Sequence, residues 1–251
     1  MPDGIRFTPE LRTVIDQAKV DLAAALRLSV RFGFEEGICN HFTYAIPGRN
    51  DLFLLHRYGK HWGQMTASDI LVMNADREIL EGEGWAEDSA FFIHSRIHLM
   101  HPHARAVLHT HMPYATALTC LEDQRLLSLS QTSCKFYNEV AYDPDYNGLA
   151  LDSAEGDRLA AALGSKRIGF LANHGVIVVG ESIARAFEDL YYLERAAELQ
   201  VKAFSSGRPV KLISDNVAGM TKSQMEKCNM SAQFFTAMKE LLAGQSADFR
   251  S

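Results

Sequence analysis

The chain is short of paired cysteines, of positive charge and of long apolar runs, and each shortage excludes a class of protein. Its four cysteines, Cys39, Cys120, Cys134 and Cys228, are scattered with no Cys-x-x-Cys pair. Disulfide scaffolds and cysteine-ligated zinc modules use closely spaced pairs, so neither is expected. Lys and Arg number 25 against 31 Asp and Glu, a net charge of −6. That balance excludes the basic footprint of a nucleic-acid-binding protein. No stretch approaches the roughly 20 apolar residues that a bilayer span requires. The opening residues, MPDGIRFTPELRTVIDQ, hold no apolar signal core. Free thiols and no leader point to a reducing, cytoplasmic setting. The expected partner is a small molecule, not a nucleic acid or a membrane.

What is present is ordinary globular material, 47% apolar and 22% charged, enough for a substantial core. Thr8-Pro9-Glu10 places a capping residue before a proline and predicts a helix start. Leu11, Ile15, Ala18, Leu22, Ala25 and Leu26 follow at helical spacing. Residues 40–46 and 52–56 read as strands around the turn Pro47-Gly48-Arg49-Asn50-Asp51, which makes a hairpin. Strands are also predicted at 70–74, 105–111, 167–171 and 176–179, with a turn at Asp76-Arg77-Glu78 leading into Ile79-Leu80. Helices are predicted at 89–100, 113–121 and 182–204. A linker-like Ser205-Ser206-Gly207-Arg208-Pro209 divides residues 8–204 from a tail, 205–251. The tail is expected to be helical over 214–245 and to pack on the body or on a neighbouring subunit.

Histidines carry the chemistry. His109-Thr110-His111 closes an apolar, β-branched strand. Residues two apart in a strand share a face, so both imidazoles can reach one ion. The pair alone fits hydrogen-bonded surface histidines equally well. Asn173-His174-Gly175 lies in a second turn, where Gly175 is expected to take a positive φ and present His174. Three histidines are a common protein contribution to a catalytic metal site that keeps positions open for substrate. Imidazole suits zinc, manganese, iron and cobalt, with zinc the first expectation. His94, His98 and His101 lie about one helical turn apart and could make a second site, but His98, His101 and His103 are read as solvated surface residues, and His94 as a group orienting a ligand or substrate.

Several stretches, in order and spacing, resemble the class II aldolase/adducin family. They are Gly37-Ile38-Cys39-Asn40-His41-Phe42-Thr43, Gly59 through Asp69, His94 with Ala106 to His111, Glu139-Val140-Ala141-Tyr142, Tyr146-Asn147-Gly148, and Asn173 through Ser182. The wording is closer to the adducin head and its bacterial relatives than to the sugar-phosphate aldolases. The resemblance implies a three-layer αβα sandwich around a mostly antiparallel central sheet, a tetramer, and a divalent metal on His109, His111 and His174. It also implies catalytic roles at His94 and Tyr142 and substrate contacts at Asn40, His56, Arg57, Gly59 and Ser89.

Two departures matter. The family's aldolases carry a Glu nineteen residues before the first metal histidine, and here that position is Ala90. The loops that hold phosphate in those aldolases align with His56-Arg57-Tyr58-Gly59 and with Asp88-Ser89. Asp88 repels phosphate, whereas Arg57 offers a planar fork to a carboxylate, unless it pairs with Asp88. The expectation is therefore a metal-dependent lyase acting on a small carboxylate, by aldol cleavage or decarboxylation through a metal-stabilised enolate. The alternative is a non-catalytic binding or scaffold protein like the adducin head.

Overall fold

The computed structural model describes residues 7–244 and 248–251. Helix α1 (Pro9–Phe32) begins as expected, with the Thr8 hydroxyl accepting from the Leu11 amide. It ends at Gly33, whose φ of 71° allows its N–H to reach back to the last turn. Strands β1 (His41–Ile46), β2 (Arg49–His56), β3 (Ile70–Asn74) and β4 (Ile79–Glu81) follow as an antiparallel meander. Then come α2 (Asp88–Met100), β5 (Ala106–Thr110), α3 (Pro113–Thr119), α4 (Gln131–Cys134), β6 (Val140–Asp143) and α5 (Ser153–Leu163). Strands β7 (Ile168–Leu171) and β8 (Gly175–Gly180) lead to α6 (Ile183–Ser205), α7 (Asp215–Cys228) and α8 (Ser231–Ala243).

The eight strands form one sheet in the order β4-β3-β2-β1-β5-β8-β7-β6. Every neighbouring pair is antiparallel except β6 with β7. Side chains alternate across it. Phe42, Leu54, Leu108, Val176 and Val178 join the core under α1 and α6. Phe53, Leu55, Val107, Ile177 and Val179 join the cores under α2 and α5. The result is the three-layer αβα sandwich around a mostly antiparallel sheet. Among the described residues, no helix is long and apolar enough to cross a membrane.

Two elements carry weak sequence signals. Strand β6 is four residues with no fully apolar face. Helix α5, Ser-Ala-Glu-Gly-Asp-Arg-Leu-Ala-Ala-Ala-Leu, contains Gly156, a residue that argues against a helix interior. Packing explains that glycine, because a Cβ there would lie 2.1 Å from the Phe92 carbonyl oxygen of α2. In the tail, α8 lies on α1 and α6, with Phe235 buried against Phe187 and Lys239 2.6 Å from Asp21. Arg27 of α1 holds Asp248 at 2.6 Å. Gln245, the end of the predicted tail helix, lies outside the described residues.

Gly156→Ala should therefore destabilise the fold although alanine is the better helix former. The expected cost is roughly 2 kcal/mol, a fall in melting temperature of about 4–8 °C. An unchanged or raised melting temperature in a thermal scan would show that α5 does not pack this closely on α2.

Candidate metal centre

Strand register brings the histidines together. His109, on β5, lies opposite His41 of β1 and Ile177 of β8. His111 follows the end of β5 on the same face. His174 enters from the β7–β8 turn, where Asn173 takes the left-handed conformation at φ 55°. The expected positive φ thus falls on Asn173, not on Gly175. Glycine is needed at 175 for another reason: a Cβ there would meet Thr110 O at 2.6 Å and His111 Cδ2 at 2.7 Å.

The ligating atoms of His109, His111 and His174 lie within 4.8 Å of one another. Their ring centroids are 4.8–4.9 Å apart. Nδ1 of His109 donates to the Val176 carbonyl at 3.0 Å. Nδ1 of His111 is hydrogen-bonded to the Glu36 carboxylate. The Asn40 amide oxygen accepts the His111 backbone N–H at 3.2 Å, from a residue itself at φ 70°. These contacts leave the two Nε2 atoms facing each other at 3.1 Å. Two lone pairs at that distance need a cation between them, a proton or a metal. For metal–nitrogen bonds of about 2.0–2.1 Å, ligand atoms sit roughly 3 Å apart, so the donor set fits a divalent ion. Burial, and then the nearby His41, hold the His109 pKa well below its ordinary value. Burial and His111 push His174 down to about 4. Both imidazoles are therefore in the neutral form that binds metal.

Behind this group lies a buried polar row. His41 stacks on His109 with centroids 4.7 Å apart. His41 Nδ1 is 2.7 Å from His94 Nε2. The Thr43 hydroxyl is 2.6 Å from His94 Nδ1 and 2.8 Å from His98 Nε2. Nδ1 of His98 donates to the Ala104 carbonyl at 2.8 Å. His98, expected in solvent, is thus fully buried. It faces the sheet, and Thr43 and a carbonyl satisfy it. His101 bonds the Ala160 carbonyl at 2.7 Å, and His103 is exposed.

The remaining expected site residues divide. Thr43 faces Leu55 in the β1–β2 pairing, so continuing the register sets His41 opposite Arg57, on the same face. Arg57 lies 3.6 Å from Asp69 and not against Asp88, which pairs instead with Arg77. Gly59 turns the following loop at φ 87°. His56 lies on the opposite face of the sheet, its ring 5.7 Å from Trp62, and burial pushes its pKa down to about 4. The Ser89 hydroxyl donates to Glu87 at 2.5 Å, and Glu87 caps α2 through the Ala90 amide. Tyr142 is turned away from the histidines, its hydroxyl accepting from the Leu126 amide at 3.1 Å. The tyrosine beside the group is Tyr146, 6.0 Å from the His174 ring. Glu36 and His41 were missed by sequence reasoning. Glu36 is 75 residues from His111, and no local pattern marks it.

With the geometry in place, comparison with known proteins gives the class. The model for the Class II Aldolase and Adducin N-terminal domain matches residues 20–201, and the chain belongs to that family. A Caulobacter vibrioides protein named "Putative aldolase class 2 protein" is 34% identical over 87% of this chain and 86% of its own. The decarboxylase NovR of Streptomyces niveus is 30% identical over 81% of this chain and 75% of its own. The crystal structure of an aldolase II superfamily protein from Pseudomonas syringae superposes with a TM-score of 0.88 at 31% identity, covering 98% of each chain. L-fuculose 1-phosphate aldolase from Glaciozyma antarctica PI12 gives 0.85 at 25% identity, over 98% of this chain and 97% of that one.

The buried, neutral histidines make the fold acid-sensitive. Burial pushes His56 and His98 down to about 4, against about 6.5 in an unfolded chain. Their contribution is complete above pH 6.5 and is lost as the pH falls towards 4, because the unfolded state takes up the protons first. Urea midpoints of chelator-treated protein should be level from pH 8 to 7 and fall steadily between 6.5 and 4. A level midpoint down to pH 4.5 would contradict this burial.

Proposed function

We propose that the chain is a divalent-metal-dependent carbon–carbon lyase, with zinc on His109, His111 and His174, acting on a small carboxylate. The observation that carries this is the pair of Nε2 atoms at 3.1 Å whose Nδ1 partners are the Val176 carbonyl and the Glu36 carboxylate. A bound divalent ion would supply Lewis acidity to a substrate carbonyl or hydroxyl oxygen, favouring cleavage of the adjacent carbon–carbon bond.

The chain's own residues do the rest. His109 of β5 lies opposite His41 of β1, and continuing the β1–β2 register one step beyond the end of β2 sets Arg57 next in line. With strands about 4.8 Å apart, the Arg57 backbone is roughly 10 Å from that of His109. That span fits a small acid held by its carboxylate on the guanidinium, with its reacting end at the histidines. Ala90, packed with Phe53 and Phe91, provides no carboxylate for proton transfer. Decarboxylation needs no base to deprotonate a substrate hydroxyl and so tolerates that loss better than aldol cleavage. Kinship with a decarboxylase supports the same choice. We further propose a homo-oligomer, a tetramer, with its subunit boundary near the site. Tyr146, beside His174, and Leu149 and Leu151, which follow it in the chain, expose large apolar surface (72% of Leu149) that a second copy would cover.

Ala90 also favours a second reading, a non-catalytic binding head like that of the adducins in this family. An assay of metal-replete protein, sized by light scattering, separates the two. Keto- and hydroxy-carboxylic acids should be cleaved in preference to fuculose phosphate, and Arg57→Ala should lower kcat/KM for the acids by about tenfold or more. Preferred cleavage of the sugar phosphate, unaffected by Arg57→Ala, would sink the carboxylate assignment. Bound metal with no turnover of either class would favour the binding head.

A further inference from the structure

The row behind the metal centre has a direction. The Ala104 carbonyl can only accept, so the hydrogen of His98 is on Nδ1. Among the described residues, no carboxylate bonds to any imidazole of the row, and all are buried, so each ring carries one hydrogen. Nε2 of His98 is then a bare lone pair, and the single hydroxyl hydrogen of Thr43 is spent on it at 2.8 Å. The Thr43 oxygen must accept at its other contact, which fixes the hydrogen of His94 on Nδ1, 2.6 Å away. Nε2 of His94 is therefore an acceptor, and the hydrogen of His41 must be on Nδ1 to fill it at 2.7 Å. Four hydrogen bonds thus run one way, from His41 to the Ala104 carbonyl.

We infer that this row locks His41 as its Nδ1–H tautomer, and that its bare Nε2 accepts a hydrogen bond from a hydroxyl of the bound substrate, which makes the substrate a hydroxy-carboxylate. The substrate half rests on the carboxylate-lyase reading above, and the tautomer half does not. His41 is outside the group of histidines whose ligating atoms lie within 4.8 Å of one another. It instead stacks on His109, between that residue and the place that the continued β1–β2 register gives Arg57. A molecule spanning the metal histidines and Arg57 crosses it. Arg57 presents donors only and His41 an acceptor only, so the complementary molecule has an acceptor at one end and a donor hydroxyl between. An acid without that hydroxyl would leave the Nε2 lone pair unmatched once substrate covers it, which selects against it. Thr43, His94 and His98 are positioning residues, acting through His41.

Neutron diffraction from deuterium-exchanged crystals of the full chain tests the tautomer directly. Deuterium is expected on Nδ1 of His41, His94 and His98 and on none of their Nε2 atoms. Deuterium on Nε2 of His41 would overturn the inference whatever the enzyme's activity. Calorimetry on the metal-replete protein tests the substrate half with lactate and propionate, which differ by one hydroxyl. Wild type and Thr43→Ser should prefer lactate, and Thr43→Val, which cuts the row and frees His41 to reorient, should lose roughly three- to tenfold of that preference. No preference in the wild type, or the same preference in Thr43→Val, would overturn the hydroxyl contact while leaving the metal-lyase reading standing.

Discussion

Nε2 of His109 and Nε2 of His111 stand 3.1 Å apart, each with the other ring nitrogen already committed. Two unshared lone pairs do not rest at that distance, so a proton or, in the proposed loaded site, a metal ion lies between them. Much of the local architecture serves this contact. The Val176 carbonyl that takes the His109 hydrogen comes from β8, the strand next to β5. Glu36, from the loop after α1, turns His111. Asn40 fixes the His111 backbone, and the missing Cβ of Gly175 lets the turn bearing His174 close on Thr110 and His111. Such outer partners set ring orientation and ligand basicity as much as the ligands themselves.

The antiparallel sheet makes the arrangement inexpensive to build. His41 opposite His109, and Thr43 opposite Val107, place one face of β1 beside one face of β5. Helix α2 then closes over that face, with His94 and His98 one turn apart pointing at Thr43. Polar groups buried this deeply are costly unless each finds a partner. Here they satisfy one another in a line that ends on a backbone carbonyl. Ala90, one turn before His94, sits where the family's aldolases carry their Glu.

Much of this was legible in the sequence, and the gaps have physical causes. The caps of α1, the hairpin and the His-x-His strand follow from local rules that need no tertiary contact. So does the likeness that leads to the family. Helix α5 was obscured because Gly156 answers to Phe92 on another helix. The environment of His98 was misjudged because helix spacing alone does not say which side meets the sheet. Glu36 could not be found by any pattern, since its partner is on a distant strand. Tyr142 and Tyr146 differ by four positions along the chain, yet only Tyr146 lies beside His174. The alternation of β6 and the loop after it decide that.

The proposed metal site joins His174 to His109 and His111, whose Nε2 atoms are left free because their Nδ1 atoms are held by the Val176 carbonyl and the Glu36 carboxylate. Its most direct test is elemental analysis of protein purified without chelator, beside His109→Ala, His174→Ala and Glu36→Gln. About one divalent ion per chain is predicted for the wild type, near zero for the histidine variants, and an affinity about 10–100-fold weaker for Glu36→Gln. Metal content unchanged by His109→Ala and His174→Ala would rule this site out.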